Sequence, residues 1–107
     1  MVFDSFGHPR DVEFVLDTGF TGALTLPPAV IGALGLPWDS REQLVLGNGQ
    51  IHEFDVHLAT VIWDGAARPV VVQAADTSPL FGMGLLAGHD LRVRIAPGGQ
   101  VEIEAVP

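Results

Sequence analysis

The chain has 107 residues, a length that suits a single domain over 1–107 with one modest core. Hydrophobic residues make up 48%, which excludes a disordered chain, yet no apolar run is long enough to span a bilayer. The formal charge is −8 with only five Lys and Arg, which argues against nucleic acid or an anionic membrane surface as a partner.

Cysteine is absent, so neither a disulfide nor a thiolate zinc site is available, and a reducing cytoplasm is the expected compartment. No N-terminal stretch has the basic-then-apolar layout of a signal peptide. Thirteen Gly and eight Pro spread along the chain fit many short strands joined by tight turns.

Val2 to Phe6 and Val12 to Leu16 read as strands around the turn Gly7-His8-Pro9-Arg10. The first strand starts with the chain itself, which raises the expectation of an upstream segment. Asp11-Val12-Glu13-Phe14-Val15-Leu16 alternates and then turns wholly apolar, as a half-exposed strand does when it enters a core. It runs directly into Asp17-Thr18-Gly19-Phe20-Thr21-Gly22. A carboxylate at the end of an apolar strand loses hydration, so its pKa should rise unless a partner compensates. Thr18 adds a hydroxyl that both donates and accepts, and Gly19 permits a tight turn or a close backbone approach. The three can present one buried, rigidly held carboxyl group at the base of a cleft. The plainer alternative is a polar turn after a strand, with Asp17 no more than a local cap.

Ala23-Leu24-Thr25-Leu26 continues as a strand, and Pro27-Pro28 opens a short helix over Ala29 to Leu34 that Gly35 is placed to end. Trp38 in the following connector is expected in the core or covering it. Gln43 to Leu46 and Ile51 to Val56 flank Gly47-Asn48-Gly49-Gln50, where Asn-Gly is a strong hairpin signal. That hairpin is either an ordinary surface feature or a mobile lid over a cleft. His52 and His57 have an odd spacing that puts them on opposite faces of a strand, so they make no metal pair, and no metal or other cofactor is expected.

Val56 to Trp63 and Arg68 to Ala74 read as strands around Asp64-Gly65. Leu85-Leu86-Ala87-Gly88 is expected as a short buried strand, with His89-Asp90 starting a helical turn that Asp90 caps. Arg92 to Ile95 and Gln100 to Val106 alternate around Pro97-Gly98-Gly99, a terminal β-hairpin.

An apolar-Asp-Thr-Gly loop, a glycine-tipped hairpin, an apolar-apolar-Ala-Gly-x-Asp segment and a terminal hairpin follow one another in this order. That order resembles the retropepsin-like aspartic proteases over nearly the whole chain. Asp17 to Gly22 with Leu24 to Pro27 is most similar to the small prokaryotic retropepsin-like group, which reads Asp-Thr-Gly-Phe-x-Gly and then Leu-Thr-Leu-Pro. The resemblance implies an all-β fold: a small closed acid-protease-like barrel with a flap hairpin and one or two short helices. Asp17, Thr18 and Gly19 would be catalytic, and Phe20 with Gly47, Asn48, Gly49 and Gln50 would meet substrate. Leu86, Gly88 and Asp90 would fill the second signature, an apolar pair, glycine, any residue and an acid or amide, whose glycine lets the Asp loop pass. Viral members usually follow Asp-Thr-Gly with Ala and Asp and carry Arg after the second glycine. Phe20, Thr21 and His89 stand there instead, so substrate binding must differ.

Aspartic protease chemistry needs two carboxyls around one water, and their titrations couple and separate. One Asp-Thr-Gly is present, so the implied enzyme is a homodimer contributing Asp17 twice and hydrolysing peptide bonds. The alternative is a catalytically weak or inactive dimeric domain that binds peptides or regulates. A serine hydrolase has little support, because Ser5, Ser40 and Ser78 lie in no Gly-x-Ser-x-Gly elbow.

Overall fold

The computed structural model describes residues 1–45 and 47–106. Strands take 49% of the chain and helices 10%, so the expected class holds. The chain begins with β1 (Val2–Phe3) and β2 (Pro9–Arg10). The expected strand to Phe6 stops early because the Asp4 carboxylate accepts the backbone N–H groups of Phe6 (3.0 Å) and His8 (2.9 Å), which curls the chain into a turn. Of the segment expected from Val12, only β3 (Val15–Leu16) pairs.

The next strand, β4 (Leu24–Leu26), is wholly buried, as an interior strand in a sheet covered on both faces should be. It leads into α1 (Pro28–Leu34), which buries Ile31 and Leu34. Pro28 occupies the first turn, where a missing N–H costs nothing, and Gly35 closes the helix at φ 66 with its N–H on the Gly32 carbonyl.

The long hairpin of β5 (Trp38–Val45) and β6 (Ile51–Trp63) follows, and Asp64-Gly65 turns the chain into β7 (Ala66–Ala74). The two strands expected over Ile51 to Trp63 are one strand of 13 residues. Along β6 and β7, Ala59 opposes Val70 on the core face, while Leu58 opposes Val71 on the outer face. Trp38 does not cover the core: it is 61% exposed, with its indole N–H on Asp55.

The last elements are β8 (Leu80–Phe81), α2 (Met83–Leu86), β9 (His89–Val93) and β10 (Val101–Ala105). Here the expectation is reversed. Leu85 and Leu86 lie in a helical turn, and His89-Asp90 begins a strand. Asp90 caps no helix, because its backbone pairs with Glu104. A short apolar run carries no period, and only its packing decides between helix and strand.

The main sheet runs in the order β2-β1-β6-β7-β4-β8-β3, with β5 on β6, while β9 and β10 form a second sheet. Among the described residues the ends β2 and β3 do not pair, so the sheet is a curled half-barrel rather than the closed barrel expected. Val2, Leu24, Leu26, Ile31, Leu34, Val61, Val72 and Leu85 form the core within the curl. Among the described residues no helix is long and apolar enough to cross a membrane.

Candidate active site

The Asp-Thr-Gly loop lies where three short strands meet. The strand β8 pairs in parallel with β3, Val15 opposite Leu80 and Leu16 opposite Phe81. On its other side β8 pairs antiparallel with β4, Leu24 opposite Phe81 and Thr25 opposite Leu80. The chain therefore leaves β3, rounds the loop 17–23, and returns as β4 with β8 inserted between. The buried Thr25 hydroxyl accepts the Leu80 N–H at 3.1 Å, which satisfies two groups that burial would otherwise penalise.

Backbone hydrogen bonds hold the loop from one end to the other. The Asp17 N–H donates to the Phe81 carbonyl at 2.9 Å, and the Phe20 N–H to the Asp17 carbonyl at 3.2 Å. Met83 N–H donates to Phe20 O (2.8 Å), Gly84 N–H to Gly22 O (3.0 Å) and Gly82 N–H to Ala23 O (3.0 Å). The start of α2 thus spends its free N–H groups on the carbonyls of the loop.

Asp17 is half-buried rather than buried, while Thr18 and Gly19 are exposed. Asp17 Oδ1 accepts the Gly19 N–H at 2.9 Å, which offsets part of the lost hydration. Among the described residues no group donates to Asp17 Oδ2, so one oxygen is anchored and the other is free for a ligand.

Two assigned positions belong elsewhere. Gly88 is not the glycine against which the loop passes: a Cβ there would meet nothing within 4 Å. Its residue is at φ 81, and its carbonyl takes the Val106 N–H. Asp90 is exposed on β9, away from α2's contact with the loop, whereas Leu86 is buried at the end of α2. The close approach is at Gly82 and Gly84. A Cβ at Gly82 would collide with Phe20 O and lie 2.7 Å from Gly22 O, and one at Gly84 would lie 2.8 Å from the Gly22 carbonyl carbon. The legible signal was Leu80-Phe81-Gly82, an apolar pair followed at once by glycine, whereas Leu85-Leu86 is separated from Gly88 by Ala87. His89 likewise lies outside the loop contact, its ring edge-on to Trp63 at 5.6 Å and its Nδ1 3.1 Å from the Ala87 carbonyl oxygen.

The tip residues Gly47, Asn48, Gly49 and Gln50 are all exposed, with the Gln50 N–H on Asn48 Oδ1 at 3.0 Å. One face of the hairpin carries the Arg41–Glu53 ion pair (3.2 Å) and the Gln43–Glu53 hydrogen bond (3.0 Å). The other carries Leu44, His52 and Phe54, with the His52 and Phe54 rings stacked at 6.4 Å. That second face continues through Val56 to its neighbour Gln73, whose Nε2 would be 3.2 Å from a Cβ at Gly22. It is therefore the face on the side of the Asp loop.

Two further features stand apart from the loop. The backbone N–H of His8 above all, with that of Phe6 and the His8 and Arg10 charges, holds the Asp4 carboxyl below its ordinary range against the opposing effect of burial. A groove of about 470 Å³ opens beside Phe3, Leu36, Leu58, Thr60 and Val71, and no residue of the Asp loop lines it. Among the described residues no three His, Asp or Glu side chains are grouped to hold a metal ion.

Compared with family models, curated proteins and solved structures, the chain matches none.

Proposed function

We propose that two copies of this chain form an aspartic endopeptidase, with both Asp17 carboxyls around one water at the twofold axis. The observation that carries the reading is the position of Asp17. It sits at the bend between β3 and β4 with β8 inserted, one oxygen anchored by Gly19 and the other without a donor among the described residues. The reading casts the half-barrel as one acid-protease lobe and the β5–β6 hairpin as its flap, with Thr18 bonding across the axis. The second signature shifts to Leu80-Phe81-Gly82.

In the reaction one Asp17, ionised, takes a proton from the water as its oxygen attacks the scissile carbonyl carbon. The partner protomer's Asp17, protonated, gives its proton to the carbonyl oxygen. The first Asp17 then passes the proton it took to the nitrogen as the C–N bond breaks, and a hydroxyl of the intermediate gives its proton to the partner's Asp17, which restores the pair. Two carboxyls a few ångströms apart share one proton, so one serves as the base while the other serves as the acid.

The terminal hairpin carries an apolar face that suits the proposed second copy. Leu91, Val93, Val101 and Ile103 share one face of β9–β10, while Asp90, Arg92, Glu102 and Glu104 share the other. Val93 is 45% and Val101 52% exposed, an apolar sheet face that two identical subunits can cover symmetrically. A hairpin of two strands alone is marginal in water, which adds to the need for a cover.

Gly84 favours a second reading, a dimeric peptide-binding domain with weak or no cleavage. In the shifted register it stands where the signature has Asp or Asn.

The test is cleavage of an unfolded protein at high enzyme concentration from acid to neutral pH, wild type beside Asp17→Asn. Cleavage by wild type alone is expected. Cleavage retained by Asp17→Asn would refute the assignment, and a wild type that binds the substrate without cutting it would select the second reading.

A further inference from the structure

Phe20 follows the Asp-Thr-Gly triplet, where a large apolar side chain suggests a wall of the substrate cleft. The packing gives it another neighbourhood. A methyl group on Gly22 would lie 2.6 Å from Phe20 Cζ and 2.8 Å from Cε1, and one on Gly82 would lie 2.5 Å from Cδ2. The ring therefore rests directly on the backbone of its own loop on one side and on the entry to α2 on the other. Both places are open to it only because both residues lack a Cβ. The same residue's carbonyl accepts the Met83 N–H at 2.8 Å, so ring and backbone grip the same short segment.

We infer that Phe20 is a positioning residue: its ring wedges between Gly22 and Gly82 and sets the place of the Asp17 carboxyl, rather than contacting substrate. The inference deepens the endopeptidase reading and rests on it for its kinetic consequence. The physical reason is economy of contacts. The loop 17–23 has few side chains of its own to bury, since Thr18, Gly19 and Thr21 are exposed. Without the ring, the loop depends on its backbone hydrogen bonds and on the Asp17 carboxylate's bond to Gly19, and such bonds at an exposed edge open readily. A displaced carboxyl lowers the rate of proton transfer without changing how substrate binds elsewhere in the cleft.

The test compares Phe20→Ala and Phe20→Leu with wild type in two assays. The first is amide hydrogen exchange at Gly82, Met83 and Gly84, referenced to amides in β6 and β7. The second is cleavage, with kcat and KM determined separately. Phe20→Ala is expected to speed exchange at those three amides roughly tenfold with β6 and β7 unchanged. It should lower kcat roughly ten- to a hundredfold, with KM within about twofold of wild type. Phe20→Leu, which refills much of the space, should recover most of both. Unchanged exchange with a raised KM would make Phe20 a substrate wall and overturn the inference. Equal loss of protection in β6 and β7 would overturn it too, by making the ring an ordinary core residue. If wild type cleaves nothing, the endopeptidase reading fails, while the exchange data still decide whether Phe20 is the wedge.

Discussion

Replacing Gly84 by Ala adds one methyl group at a point where neither neighbour can give way. The new Cβ would lie 2.8 Å from the Gly22 carbonyl carbon and 3.0 Å from both Gly22 O and Ala23 N. Favourable carbon contacts lie at about 3.5–4.0 Å, so the loop must move by roughly half an ångström or more. All three atoms are backbone, and the hydrogen bonds from Gly82 and Gly84 to Ala23 and Gly22 resist the movement. Overpacking of this kind costs about 1–3 kcal/mol. Acting the other way, Ala is favoured over Gly inside a helix by about 0.5–1 kcal/mol, an upper bound for a helix as short as α2. The expected net is destabilisation by about 1–2 kcal/mol. Gly32 supplies the control: it lies in α1 with nothing within 4 Å of its Cβ position, so Gly32→Ala should stabilise by about 0.5–1 kcal/mol. Urea unfolding measures both. With a slope of about 1–1.5 kcal/mol/M, the Gly84→Ala midpoint should fall by about 1 M and the Gly32→Ala midpoint rise by about 0.5 M. Gly88→Ala also destabilises, through its positive φ, but should leave exchange at the Gly82 and Gly84 amides unchanged. A Gly84→Ala protein as stable as wild type would refute the close approach of α2 to the Asp loop.

Asp17→Asn should remove cleavage yet hold the unfolding free energy in urea within about 0.5 kcal/mol of wild type, because the amide oxygen still accepts the Gly19 N–H. The depressed Asp4 pKa contributes stability that is fully present above the unfolded value of 3.8 and is lost as pH falls through the lower folded value. Asp4→Asn should therefore flatten the fall in thermal stability below that pH, and an unchanged acid limb would count against the role of Asp4. Sedimentation should show a dimer that tightens from neutral to mildly acidic pH, since each protomer brings a formal −8 that protonation relieves. A pH-independent dimer would contradict that. Val101→Glu places a charge on the apolar face of β9–β10 and should shift the protein to monomer and abolish cleavage together; a dimeric variant would move the interface elsewhere.

Local rules were enough for much of the chain. Alternation identified β10 and the second arm of the long hairpin, proline and glycine bounded α1 at Pro28 and Gly35, and Asn48-Gly49 marked the hairpin's turn. In each case one backbone preference or one period acts within a few residues, and nothing distant opposes it. Asp17-Thr18-Gly19 at the end of an apolar strand was legible for the same reason. What neighbours in space decide was not. Leu80-Phe81 and Leu85-Leu86 are equally apolar pairs, and only insertion between β3 and β4 makes the first a strand while contact with the loop coils the second. Gly82, Gly84 and Gly88 look alike along the chain, but only the first two have another backbone against them. The ring of Phe20 reads as an exposed wall until Gly22 and Gly82, far apart along the chain, are brought together around it. Propensity and period specify what a residue can do, and long-range packing selects which surface it meets.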